Sequence, residues 1–157
     1  MNASQRSAQR LEKPLANSVL RGFDRQEFAR ARKMANLTVQ ELGKQSGVDR
    51  AAIHRWESGE CLPLVDSLSL AAAALGATVD RFLTVPEAER TLADLRIVAG
   101  LTQAKLAERT GISRRVLGNF ERGRGHLDNA RAAALADALK VSETAIFEAH
   151  SRSNTLK

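Results

Sequence analysis

The stretch from Leu101 to Arg124, L-T-Q-A-K-L-A-E-R-T-G-I-S-R-R-V-L-G-N-F-E-R-G-R, reads as two short helices joined by a turn, and the rest of the chain repeats or supports it. Thr102 stands at an N-cap position, where its hydroxyl can accept from an unpaired first-turn amide, and Leu106 with Ala107 supplies a small apolar face. Gly111 breaks that helix, since glycine enters the left-handed backbone of a tight turn without a Cβ penalty. Ser113 then caps a second helix whose Val116, Leu117 and Phe120 recur at helical spacing and turn inward. Arg114, Arg115 and Asn119 are left on the outer face. The spacing therefore predicts two helices crossing steeply over a glycine turn, the second of them basic and polar outside.

Length and charge narrow what such a chain can do. With 157 residues it holds one or two domains and enough material for a core. A formal charge of +6 and an isoelectric point near 10.2 point to an anionic partner, nucleic acid before a membrane surface. The longest apolar run, Leu68 to Leu75, is too short to span a bilayer, and the N-terminus lacks the apolar centre of a signal peptide. The expectation is a cytoplasmic protein, nucleoid-associated and with no membrane partner. Cys61 is the one cysteine, which excludes an intramolecular disulfide and a multi-cysteine zinc site. His54, His126 and His150 are scattered without metal-ligand spacing. Neither metal nor cofactor is expected. Nothing pairs a nucleophile with a base or two carboxylates across a cleft, and no glycine loop could cradle phosphate, so no enzyme is expected either.

Met1 to Arg21 is rich in Ser, Asn, Gln and Arg and poor in core-forming residues. Arg6, Arg10, Lys13 and Arg21 against Glu12 make residues 1–22 a flexible basic arm, able to follow a phosphate backbone or to stay a solvated tail. Leu15, Val19 and Leu20 offer the alternative of a short docked helix. Asp24 and Glu27 have the spacing of a capping box, and Phe23 with Phe28 that of a hydrophobic staple, at the start of a helix to about Ala35. Thr38 and Glu41 form a second box; Gly47 ends that helix; Asp49 caps a third, carrying Ala52, Ile53 and Trp56. After Pro63 a leucine-rich helix is expected to end at Gly76, followed by a short fifth from Thr78 to Leu83.

Displacing the chain by 64 residues lays Leu37-Thr38 on Leu101-Thr102, Leu42 on Leu106, Gly47 on Gly111, Arg50 on Arg114, Glu57 on Glu121 and Gly59 on Gly123. Ten of the 31 positions from Ala29 to Gly59 are identical at this offset without a gap. The chain is thus all-α and doubled: a first five-helix unit over 23–83 and a second over 84–150, with a flexible C-terminal tail at 151–157. Thr84 and Glu87, spaced as a capping box around Pro86, place the first helix of the second unit there, so the linker is a few residues at most.

Both units resemble the lambda-repressor-like, Cro/CI-type (XRE) helix-turn-helix domain. The second carries Leu95-Arg96, Gly100-Leu101-Thr102-Gln103, Leu106-Ala107, Gly111-Ile112-Ser113, Glu121 and Gly123 of that pattern and lacks the proline that follows it. The first has that proline as Pro63, but Asn36 for the first glycine, Val39 for the glutamine and Gly43 for the alanine. The resemblance implies two tandem lambda-repressor-like DNA-binding domains. It implies a sequence-specific regulator of transcription, a repressor of phage, plasmid or toxin-antitoxin type, whose partner is a double-stranded DNA operator. Further candidate partners are a second copy as a homodimer, an antirepressor or a toxin protein. The competing expectation is an interaction or dimerisation module in which only the second unit binds DNA.

In this family the third helix enters the major groove, and residues just after its cap and one turn later reach base edges. The matching positions are Arg50, Ala51 and Arg55 in the first unit and Arg114, Arg115 and Asn119 in the second. Arginine can bond guanine O6 and N7, and asparagine adenine N6 and N7. Gln103 is expected to face a phosphate; Val39 cannot, unless Gln40 substitutes. With the caps Thr38, Thr102 and Ser113 and the loop arginines Arg122 and Arg124, these residues make up the candidate DNA-contacting set. The resemblance also pairs Arg32 with Glu57 and Arg96 with Glu121 as structural contacts. Trp56, matching Phe120, is assigned to the core rather than to base stacking. Gly118 either lets DNA approach closely or is simply tolerated, at about 1 kcal/mol relative to alanine.

Charge is uneven. Arg109 to Arg124 holds five arginines and one acid, whereas Gln45 to Glu60 holds two arginines and three acids.

Overall fold

The structure, a computed structural model, describes residues 20–155. Of the arm, Arg6, Arg10, Lys13, Leu15 and Val19 lie outside the described residues.

Nine α-helices are present among the described residues. They are α1 (Arg25–Met34), α2 (Val39–Ser46), α3 (Arg50–Ser58), α4 (Val65–Ala74), α5 (Leu92–Val98), α6 (Gln103–Thr110), α7 (Arg114–Glu121), α8 (Asn129–Leu139) and α9 (Glu143–Thr155). The fifth element expected in the first unit is a single 3-10 turn, Val79–Phe82. A second 3-10 turn spans Glu87–Glu89.

Local chemistry sets these ends. The Thr38 hydroxyl accepts the Glu41 amide while the Glu41 carboxylate accepts the Thr38 amide, and that second bond holds the Glu41 carboxyl below its ordinary pKa. At α1 only half of the expected box forms. Asp24 accepts the Glu27 amide, but its own amide donates to the Phe82 carbonyl at 2.8 Å. The Glu27 carboxylate is thereby released to Arg30 and Arg81. The staple is present, the Phe23 and Phe28 rings lying 5.9 Å apart.

Repeat-equivalent turns keep one backbone despite different residues. Asn36 and Gly100 close the first helix of each unit at φ 56° and 72°, and Gly76 and Lys140 close the fourth at 66° and 56°. Asparagine tolerates the left-handed region better than most residues, so the departure at Asn36 leaves the turn intact.

Each unit has its own core. Phe28, Leu42, Ile53, Trp56, Leu68 and Phe82 fill the first, with Phe28 edge-on to Trp56 at 5.8 Å. Leu95, Leu106, Leu117, Phe120, Leu135 and Ile146 fill the second. Trp56 is 3% exposed, which places it in the core and out of reach of a base.

Four expectations are corrected, each for a visible reason. The arm ends earlier than residue 22: Leu20 is buried in the first core, and Arg21 forms a 2.6 Å ion pair with Asp94. Thr84 does not open a helix. Its amide and hydroxyl both donate to the Gly22 carbonyl, and Phe23 bridges Leu83 in antiparallel fashion, so this backbone is extended. The helix starts instead at Thr91, whose box with Asp94 is complete, and the connection runs from 84 to 91. Residues 151–155 are not a tail but the last turns of α9. There Ser153 is buried, donating to the Ala149 carbonyl and accepting the Leu92 amide.

That last helix also explains Gly123. It sits at φ 68° with the Asn154 backbone where a Cβ would be, whereas Gly111, at φ 71°, has nothing within 4 Å. Gly111→Ala should cost only the left-handed strain, about 1–2 kcal/mol. Gly123→Ala should cost more, because the end of α9 must also move. Thermal unfolding of the two variants checks this: equal shifts in Tm would mean that Asn154 does not confine the loop.

Candidate nucleic-acid interface

In the second unit three local polar contacts set the start of α6, its end and the start of α7. The Thr102 hydroxyl accepts the Lys105 amide, the Thr110 hydroxyl donates to the Leu106 carbonyl, and the Ser113 hydroxyl accepts the Val116 amide. Gly111 supplies the left-handed residue between them. Leu117 and Phe120 then fix the inner face of α7 in the core, which leaves Arg114 and Arg115 exposed on the other. Asp49 caps α3 by accepting the Ala51 amide, and Ile53 and Trp56 fix its inner face, leaving Arg50, Ala51 and Arg55 exposed.

Behind each outward-facing helix lies an ion pair that ties its C-terminal end to the first helix of its unit. Arg96 bonds Glu121 through Nε and Nη2, while its Nη1 donates to the Leu101 carbonyl at 2.9 Å. Arg32 repeats this with Glu57 at 2.7 and 3.0 Å and with the Leu37 carbonyl at 2.8 Å. One guanidinium thus orients three elements. The pairs differ in burial: the side chains are 1% and 7% exposed in the second unit, 11% and 14% in the first.

Gln103 has a partner within the fold. Its amide nitrogen donates to the Glu121 carboxylate at 2.7 Å, because that carboxylate retains acceptor capacity beyond Arg96. Asn119 is also engaged, its Oδ1 accepting from Arg122 Nη2 at 3.0 Å. Gly118 is buried, and a Cβ there would lie 3.4 Å from the same guanidinium, so Arg122 and not open space covers it.

In the first unit the starts of α2 and α3 converge on a groove lined by Thr38, Val39, Gln40, Arg50, Ala51, His54 and Arg55. His54 was not singled out from the sequence as part of this face. The available signal was its position four residues after Arg50, hence one turn along the same stripe. Gln40 lines the groove beside Val39.

The electrostatic contrast is sharp. Arg21, Arg32, Arg81, Arg90 and Arg96 are each held by a carboxylate. Among the described residues no ion pair is made by Arg50, Arg55, Arg114, Arg115 or Arg124, all of them exposed. No helix among the described residues is long and apolar enough to cross a membrane.

A family model described as helix-turn-helix matches the chain twice, over residues 28–82 and 92–146. Each match begins inside the first helix of a unit and spans its glycine turn. Comparison with curated proteins and with solved structures gives no match.

Proposed function

We propose that this chain, which belongs to the lambda-repressor-like helix-turn-helix family of DNA-binding regulators, is a sequence-specific transcriptional repressor that reads the major groove of double-stranded DNA with α3 and α7. The observation that carries this reading is the set of exposed arginines, none of them ion-paired, on the outward faces of both helices, in a chain that pairs its buried and half-buried arginines with carboxylates. Arg114 and Arg115 in the second unit, and Arg50 and Arg55 in the first, suit guanine edges or phosphates. Asn119 reads adenine through Oδ1 and Nδ2 once Arg122 swings to a phosphate. Gln103, already bound to Glu121, keeps a second amide hydrogen for the backbone. Arg124 and the capped helix starts at Thr38, Thr102 and Ser113 complete the phosphate contacts.

Because Arg50, Ala51 and Arg55 offer a different set of groups from Arg114, Arg115 and Asn119, the two units prefer different bases. One covalent chain then recognises one site made of two unlike parts, the joined second unit acting at an effective concentration of about millimolar. Footprinting on the DNA upstream of its own gene, with sedimentation of the complex, tests this. One chain protecting two adjacent segments is expected, and a two-chain complex on a symmetric site would rule the reading out.

The first unit, with eight basic and eight acidic residues over 23–83, is formally neutral, and this favours a second reading in which α7 alone binds DNA and the first unit serves protein contacts. Arg50→Ala with Arg55→Ala in the full chain separates the two. Unchanged affinity and footprint would favour the second.

A further inference from the structure

The two units meet through different surfaces. Asp66 at the start of α4 pairs with Lys105 of α6 at 2.9 Å, and Asp80 pairs with Arg90, at the end of the connection, at 2.5 Å. Helix α5 packs on the 3-10 turn Val79–Phe82, with Ile97 buried at 1% exposure in the core of the first unit. Gly100 lies against Ser69, whose Oγ would be 2.8 Å from a Cβ there.

Subtracting the repeat offset of 64 from the residues of the second unit shows what kind of interface this is. Ile97, Gly100 and Lys105 correspond to Lys33, Asn36 and Glu41, whereas the first unit contributes Asp66, Ser69 and Val79. The two patches share no position. A two-fold relation would require each contact twice, with Lys33 on Glu143 and Glu41 on Ala130. Among the described residues no ion pair joins Lys33 to Glu143, and all four of these residues are exposed. The interface is therefore head-to-tail, and it does not continue to a third unit. Lys33 stands where Ile97 is buried, and Glu41 with Ala130 where Lys105 meets Asp66.

We infer that the two parts of the DNA site lie in the same orientation, as a direct repeat of unlike sequences, and not as the inverted repeat that a two-fold pair of reading helices demands. This rests on the DNA-binding reading above. The double helix offers two ways to present equivalent surfaces to two similar domains on one duplex: a dyad across its axis or a screw along it. With α3 and α7 both on one duplex, as in that reading, contacts that lack a dyad leave the screw. Ile97, buried in the first core, and the half-buried Arg21–Asp94 pair hold the units in that relation before DNA is met, and the exposed links at Asp66 and Asp80 add to them.

The test is selection of sites by the full chain from a random double-stranded pool, then binding to the selected site with either part inverted at constant spacing. Two unlike segments in one orientation are expected, with inversion of either lowering affinity about 100-fold or more, toward that of a single segment. Enrichment of an inverted pair would overturn the inference while keeping the DNA-binding reading, and so would enrichment of a single segment indifferent to its neighbour. Failure to enrich any sequence would remove the reading itself. The packing is tested without DNA by Asp66→Cys with Lys105→Cys in a Cys61→Ser background. A short bismaleimide should join the two positions within one chain, and absence of that link would overturn the head-to-tail relation.

Discussion

Glu121→Ala should destabilise the second unit by about 3–5 kcal/mol, the range for breaking a buried ion pair by removing one partner. The reason is what remains behind. Arg96 is 1% exposed and cannot be deprotonated, so its charge would stay buried with only the Leu101 carbonyl against it. Gln103 would lose its acceptor as well. Glu57→Ala in the first unit should cost less, since Arg32 and Glu57 keep more contact with water. The chain supplies its own reporter: Trp56, its one tryptophan, lies in the first core. In denaturant, Glu121→Ala should shift the circular dichroism midpoint strongly and the Trp56 fluorescence midpoint only as far as Ile97 couples the units. Replacing Arg96 and Glu121 together by apolar residues of similar volume should recover much of the loss, because no charge is then stranded. An unchanged midpoint in Glu121→Ala would rule out the pair as a stabilising contact.

The sequence showed most of what is local and repeated. Caps such as Thr38, Thr102 and Ser113, and breaks such as Gly47 and Gly111, depend on residues three or four apart, so they can be read from spacing alone. The ion pairs were legible for another reason: Arg32 and Glu57 recur intact at Arg96 and Glu121, and the family pattern joins them. What escaped was decided by partners far along the chain. Glu27 failed to complete its box because Phe82 took the Asp24 amide from 58 residues away. Thr84 and Glu87 have the spacing of a helix start, but pairing of Leu83 and Thr84 with Gly22 and Phe23 holds Thr84 extended, and only a 3-10 turn forms at Glu87–Glu89. Arg21 looked like one more basic residue of a solvated arm. Its partner Asp94 lies in the other unit, and no spacing rule connects them. Gln103 and Asn119 were placed correctly on their helices, yet their first hydrogen bonds go to Glu121 and Arg122. Position on a helix follows from period; the direction of a long polar side chain depends on what lies beside it.

Arg114→Ala with Arg115→Ala should weaken binding to every DNA sequence, by about 10- to 1,000-fold at low salt, and flatten the dependence of affinity on salt. Each phosphate contact removed takes about 0.9 from the slope of log affinity against log salt, and a lost bidentate base contact adds roughly 1–3 kcal/mol at that base pair. Five arginines against one acid between Arg109 and Arg124 make this region the main non-specific anchor. On α3 the balance is nearly even: with Glu57 held by Arg32, Arg50 and Arg55 are set beside Asp49 and Glu60, and part of their field is cancelled. Arg50→Ala should therefore leave affinity for random DNA nearly unchanged while relaxing discrimination at a few base pairs. The shallow groove around Val39, Ala51 and His54 gives that loss a location, since an apolar floor contributes shape and methyl contacts rather than charge. Salt titrations on random DNA and on the selected site, run for both variants, separate the two effects. Equal losses of non-specific affinity from α3 and α7 would contradict the division of labour between the units, and a salt slope unaltered in the Arg114, Arg115 variant would show that neither side chain reaches a phosphate.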